Sequence, residues 1–95
     1  MYRVALEFNM NLEKTELEAI CLQTDEIFAN EDILCEESDD GRRVYCSSEE
    51  NQAFGRMWAA IFELKDTPCI LHNLTNGIWE NGEKKENLMS DFFTK

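Results

Sequence analysis

The dipeptide Asp40-Gly41 constrains the fold of this chain more than any other local signal. Both residue types tolerate the positive φ that the two central positions of a type I′ turn require. A short apolar stretch lies on each side, Ile33-Leu34-Cys35 before it and Val44-Tyr45-Cys46 after it, so the segment reads as a β-hairpin. With the turn centred there, Asp39 faces Arg42, Ser38 faces Arg43, Glu36 faces Tyr45 and Cys35 faces Cys46. Ile33, Cys35, Val44 and Cys46 are expected on the core side, with Leu34, Glu36 and Tyr45 behind them.

A strand and a helix precede this hairpin. Tyr2, Val4, Leu6, Phe8 and Met10 alternate with Arg3, Ala5, Glu7 and Asn9, the period of a half-buried strand. Thr15 and Glu18 then have capping-box spacing, with Asn11 as an alternative cap one turn earlier. Leu17, Ile20, Cys21, Thr24, Ile27 and Phe28 follow on one helical stripe ending near Asn30. After the hairpin, Ser47 and Glu50 repeat the capping-box spacing, and Phe54, Met57, Trp58, Ile61 and Leu64 form a second buried stripe. Pro68 closes the connection, and Cys69 to Leu74 reads as another strand.

Asn76-Gly77 is a second turn signal, which folds Ile78-Trp79-Glu80 back as a short strand. Glu83 to Phe93 reads as a terminal helix, with Leu88, Met89, Phe92 and Phe93 on its apolar side. The order β-α-β-β-α-β is that of the ferredoxin-like split fold. The expected architecture is α+β, an antiparallel sheet with two helices on one face, plus a C-terminal hairpin and short helix. Ninety-five residues fit one domain, residues 1–95, and 43% apolar residues with ten aromatics exclude a disordered acidic tail.

Residues 13–40 hold eleven acidic side chains and one base, Lys14, and so carry −10 of the chain's net charge of −11. Such a field attracts a basic protein surface and repels nucleic acid and anionic membrane. Phosphate contacts require clustered Lys and Arg, whereas the bases here are scattered. Arg42 and Arg43 are expected to be neutralised by Asp39 and Asp40, and no direct nucleic-acid binding is expected. No apolar run approaches the roughly 18 residues of a membrane span, and no continuous apolar signal region opens the sequence. A cytoplasmic location is therefore expected. In that reducing compartment the sequon Asn73-Leu74-Thr75 reads as a chance match, and Cys21, Cys35, Cys46 and Cys69 read as buried thiols.

The motifs for chemistry are sparse. Cys69 and His72 are three apart on a predicted strand, an offset that points them to opposite faces. Cys35 and Cys46 supply two soft ligands where a structural zinc site uses four. Around Gly41 a calcium loop would need a bidentate acid where Ser47 stands. Neither a metal nor a cofactor is expected. His72, the single histidine, has no nucleophile placed beside it by the sequence. The nucleophile elbow, the phosphate loop and the dinucleotide fingerprint are all missing from the sequence. No catalytic residue is assigned, and the chain is expected not to be an enzyme.

The polar side of the first helix and the hairpin together suggest a carboxylate patch, with Glu16, Asp25, Glu26, Glu36, Glu37, Asp39 and Asp40 as candidate partner-binding residues. Like charges at this density cost stability through self-repulsion, and that cost suggests a use. In size, charge and expected compactness the chain resembles small phage-borne inhibitors, the anti-restriction and anti-CRISPR proteins that mimic nucleic acid. The resemblance is one of class and rests on no shared motif. It implies an inhibitor whose carboxylates occupy the basic, nucleic-acid-binding surface of a protein partner. Two alternatives stay open. One is an adaptor or accessory subunit anchored by Trp79, Phe92 and Phe93, with a homodimer through the sheet as one form, unless those aromatics simply cover the open sheet face. The other is a small-ligand or enzymatic domain around His72, which needs a pocket that pairs His72 with a thiol.

Overall fold

The alternation at the start of the chain builds the central strand of a sheet. In the computed structural model, which describes residues 1–50 and 52–93, Tyr2–Phe8 is β1. Its Val4, Leu6 and Phe8 are buried while Glu7 faces solvent. The other strands are β2 (Cys35–Asp39), β3 (Arg42–Ser47), β4 (Leu74–Asn81) and β5 (Lys84–Asn87). The helices are α1 (Lys14–Ala29), α2 (Ala53–Lys65), α3 (Pro68–Leu71) and α4 (Leu88–Asp91). The sheet order is β2-β3-β1-β4-β5, and each neighbouring pair is antiparallel. This is a single α+β domain, consistent with a ferredoxin-like fold, with α3 inserted before β4 and with β5 and α4 added after it.

Register assigns the faces. Val4 lies opposite Tyr45 on one side and Trp79 on the other, so these three side chains share one face. Both long helices cover that face. On α1, Phe28 stacks on Tyr45 with ring centroids 3.8 Å apart, and on α2, Trp58 meets Trp79 at 5.2 Å. Phe8, Phe28, Tyr45, Met57, Ile61, Leu64, Ile70 and Leu88 fill the core between them. Arg3, Ala5, Val44, Cys46, Ile78 and Glu80 occupy the opposite, helix-free face.

Several expectations are corrected. Tyr45 points into the helix-covered core and Val44 and Cys46 lie on the opposite face, the reverse of the predicted arrangement, although Val44 is fully buried there as expected of a core residue. Three consecutive apolar residues leave the phase of β3 undecided, and pairing with Val4 decides it. The hairpin register holds from Asp39 to Glu37 and then slips at Glu36, so Cys35 lies opposite Tyr45 and not Cys46. Gly41 has φ +72° while Asp40 does not have positive φ, so the turn is not type I′. Neither capping box forms. Helix α1 begins after Glu13, with Thr15 already inside it, and Ser47 ends β3 well before α2.

The second half departs further. Pro68 opens α3 at a position where its missing N–H costs nothing, so 68–71 is helical and not a strand. Asn76-Gly77 lies inside β4, opposite Glu7 and Leu6. The absent side chain at Gly77 leaves room for Leu6, Leu88 and Phe93. The turn falls instead at Gly82, φ +64°, and residues 84–87 pair as β5 where a helix from Glu83 was expected. Only 88–91 is helical.

Candidate functional site

The acidic residues do not form one continuous patch. On α1, Asp25 faces the hairpin. One carboxylate oxygen accepts from Arg43 Nε at 3.2 Å and also from the Tyr45 hydroxyl. Burial, reinforced by that carboxylate, pushes the Tyr45 phenol far above its ordinary range, which keeps it a donor. Asp25 therefore ties α1 to β3. Glu18 lies two turns earlier on the same flank, and Glu26 stands exposed on the helix crest. Glu16 lies two turns before Gln23, whose amide oxygen accepts from Cys69 Sγ of α3 at 3.3 Å. Glu16 is thus on the opposite flank, separated from the hairpin by the width of the helix.

The hairpin carries the denser group. Glu36 sits at the bulge, Glu37 and Asp39 point to the helix-free face, and Asp40 stands in the turn; all four are exposed. Arg43 Nη1 donates to the Asp39 and Arg42 carbonyls at 3.3 and 3.2 Å, which braces the two strands where they meet the turn. Arg43 is therefore neutralised by Asp25 across the α1 interface, and not by Asp39 or Asp40 as the sequence suggested. Of these hairpin acids, Glu37 has an ion-pair partner among the described residues, Arg3 at 3.6 Å. Arg3 also pairs with Glu80, and that hydrogen bond holds the Glu80 carboxyl below the usual carboxylate range. Burial, helped by the Glu36 carboxylate, pushes the neighbouring Cys46 thiol up to about 11.

Between the hairpin tip and the start of α1 lies a cleft of about 330 Å³. Met10, Leu12, Leu17 and Cys21 give it apolar walls, while Glu18, Asp39 and Asp40 supply negative charge opposite Lys14 and Arg43. The hairpin closes tightly on this side. The Phe8 N–H donates to the Gly41 carbonyl at 2.7 Å, and any β-carbon at Gly41 would collide with Met10 Sδ. Glu18 and Met10 thus belong to this surface, and neither was among the seven candidates. The signal for Glu18 was its seven-residue offset from Asp25.

The aromatic residues are distributed differently from the expectation. Trp79 and Phe93 are 4% and 1% exposed and lie on the helix-covered face, so neither is an available anchor and neither covers the open face. Phe92 is half-buried against Trp58 and Phe62. The exposed rings are Phe54 and Phe62 on α2, the first of which was predicted to be core.

Cys69 and His72 fall on the short α3 and its C-cap, where an offset of three brings positions to one side and not to opposite faces. Both are exposed, and the hairpin cleft includes Cys21 but not His72. Cys21 is buried, whereas Cys35 and Cys46 are half-buried on opposite faces. Among the described residues no group of three His, Cys, Asp or Glu side chains converges to hold a metal ion, and no helix is long and apolar enough to cross a membrane. Comparison with protein-family models, with curated proteins and with solved structures finds no match.

Proposed function

We propose that this chain is a protein-binding module without catalysis of its own. It lays the carboxylates around its β2 edge into the basic surface with which a cytoplasmic partner contacts nucleic acid, and so inhibits that partner. One observation carries the reading. Glu36, Glu37, Asp39 and Asp40 are all exposed on a hairpin fixed by hydrogen bonds, and only Glu37 has a base within ion-pair reach among the described residues. Unpaired carboxylates on a rigid support retain their charge for a partner and lose little freedom on binding. Glu18 and Glu26 extend the same surface onto α1. Asp25 supports it from behind, and Glu16 lies outside it.

Association driven by such a surface is fast and falls steeply with ionic strength. The test is capture from the native host at low and raised salt. The expected result is a nucleic-acid-handling protein that is released by salt and by competing nucleic acid. The triple variant Glu36→Lys, Asp39→Lys, Asp40→Lys should weaken capture at least about tenfold with the fold intact. Equal capture by that variant would show that the hairpin is not the interface.

A further inference from the structure

The cleft between the hairpin tip and the start of α1 joins apolar walls to unpaired carboxylates. Leu12 and Leu17 are half-buried and packed on the core, and Met10, 60% exposed, lays its thioether against Gly41. Glu18 enters the lining from α1 and Asp40 from the turn. Both are exposed, and neither has an ion-pair partner among the described residues. We propose that this cleft receives one arginine side chain of the protein partner, its methylenes along Met10, Leu12 and Leu17 and its guanidinium between Glu18 and Asp40. The inference deepens the inhibitor reading and rests on it for the source of the arginine.

Charge selects a cation. The lining contains two bases, but Arg43 is already held by Asp25, which leaves Lys14 alone against Glu18 and Asp40. Residues 13–40, which supply most of the lining, carry a net charge of −10. An anion is repelled there. A neutral apolar ligand would displace water from the carboxylates without replacing its hydrogen bonds.

Shape selects a stem and a planar head. A bare ion makes no use of the Met10, Leu12 and Leu17 surface, whereas a chain of methylenes ended by a charge covers it and keeps its head among acceptors. The unbranched thioether of Met10 adapts to such a stem. At about 330 Å³ the cleft stands at the small end of ligand pockets, which suits one long side chain. The carboxylates come from two elements, a helix and a turn. A guanidinium presents five donors in a fixed fork and can serve both, where an ammonium is a single and more strongly hydrated point.

The test needs no partner. The probe is the blocked tripeptide acetyl-Gly-Arg-Gly-amide, titrated into the isotopically labelled full chain and followed by NMR at the Met10 and Leu17 methyls and the Gly41 amide. Saturable shifts with a dissociation constant of about 1–10 mM are expected, as for one isolated side chain. Peptides with citrulline or norleucine in place of arginine should bind at least about tenfold more weakly, since both lack the charge. Glu18→Gln, Asp40→Asn and Met10→Ser should each weaken binding about threefold with circular dichroism unchanged, and Lys14→Gln should strengthen it. Shifts that do not saturate by about 50 mM, or equal binding of the norleucine peptide, would overturn the proposal. Equal binding of the lysine peptide would overturn the choice of a guanidinium. Saturable binding of the probe without salt-sensitive capture of a nucleic-acid-handling protein would keep the arginine site and sink the inhibitor reading. Capture without probe binding would do the reverse.

Discussion

The two ends of this domain present opposite chemistry on similar scaffolding. At the β2 edge, α1 rests on β3 through Phe28, Tyr45 and Asp25, and the surface above is carboxylate. At the β4 side, α2 rests on Trp79 and Phe92, and the surface above is aromatic. Each surface is backed by a buried aromatic contact, so the difference lies in the outermost layer alone. A small sheet with helices on one face can therefore hold two unlike surfaces apart, one sensitive to salt and one indifferent to it. The separation is set by the sheet order and not by a linker.

The comparison can be broken first at its foundations. Phe28→Ala and Trp79→Ala should each cost about 3–5 kcal/mol, measured by urea unfolding, because each removes a buried ring under one of the two surfaces. A much smaller loss at Trp79 would mean that the aromatic end is loosely attached. Next in size, Asp25→Ala should cost about 1–3 kcal/mol, because it strands the Tyr45 hydroxyl and takes the acceptor from Arg43 Nε. Glu26→Gln, Glu36→Gln and Asp40→Asn should stay within about 0.5 kcal/mol of the parent. If Asp25→Ala behaves like those three, Asp25 is part of the display and not its support.

Salt sharpens the contrast. Added salt should raise the thermal midpoint of the domain by screening the acidic end, and the gain should shrink in the triple Lys hairpin variant. The smallest effects concern pH. Cys21, Cys35 and Cys46, each raised chiefly by burial, contribute stability that is complete below the unfolded thiol value of about 8.5. That contribution is lost as pH rises through their folded values, about 11 for Cys46. Glu80 has the opposite sign: its folded value is depressed, so its contribution is present above about pH 4.3 and disappears as pH falls through that lower value. Thermal scans of Cys46→Ser should show a flatter alkaline limb, and scans of Glu80→Gln a flatter acid limb.

Some of this organisation is legible in the residues. The alternation of Tyr2 to Phe8 identifies β1, the stripe from Ile20 to Phe28 identifies the buried face of α1, and Asp40-Gly41 places the hairpin. The rest depends on contacts between distant segments. Two Asn-Gly pairs look alike in sequence, yet Asn76-Gly77 is held extended by Leu6, Leu88 and Phe93 while Asn81-Gly82 turns. The helical period lists Phe54 with Met57 and Ile61, but only the narrower sector facing the sheet is covered. Seven acids were legible as one charged group because sequence carries no azimuth between helix and hairpin. The Gln23–Cys69 and Asp25–Arg43 contacts supply that azimuth, and they divide Glu16 from the others.

The central place of β1 bears on how the domain is made. Its two neighbours, β3 and β4, arrive from opposite sides and at very different times during synthesis. Until residue 81 has left the ribosome, one edge of β1 has no partner and the Trp79 side of the core is missing. The N-terminal half, with its dense negative charge, then has only half a sheet to hold it against its own repulsion. Folding must therefore wait for the last third of the domain, and fragments ending before β4 should be poor candidates for independent folding.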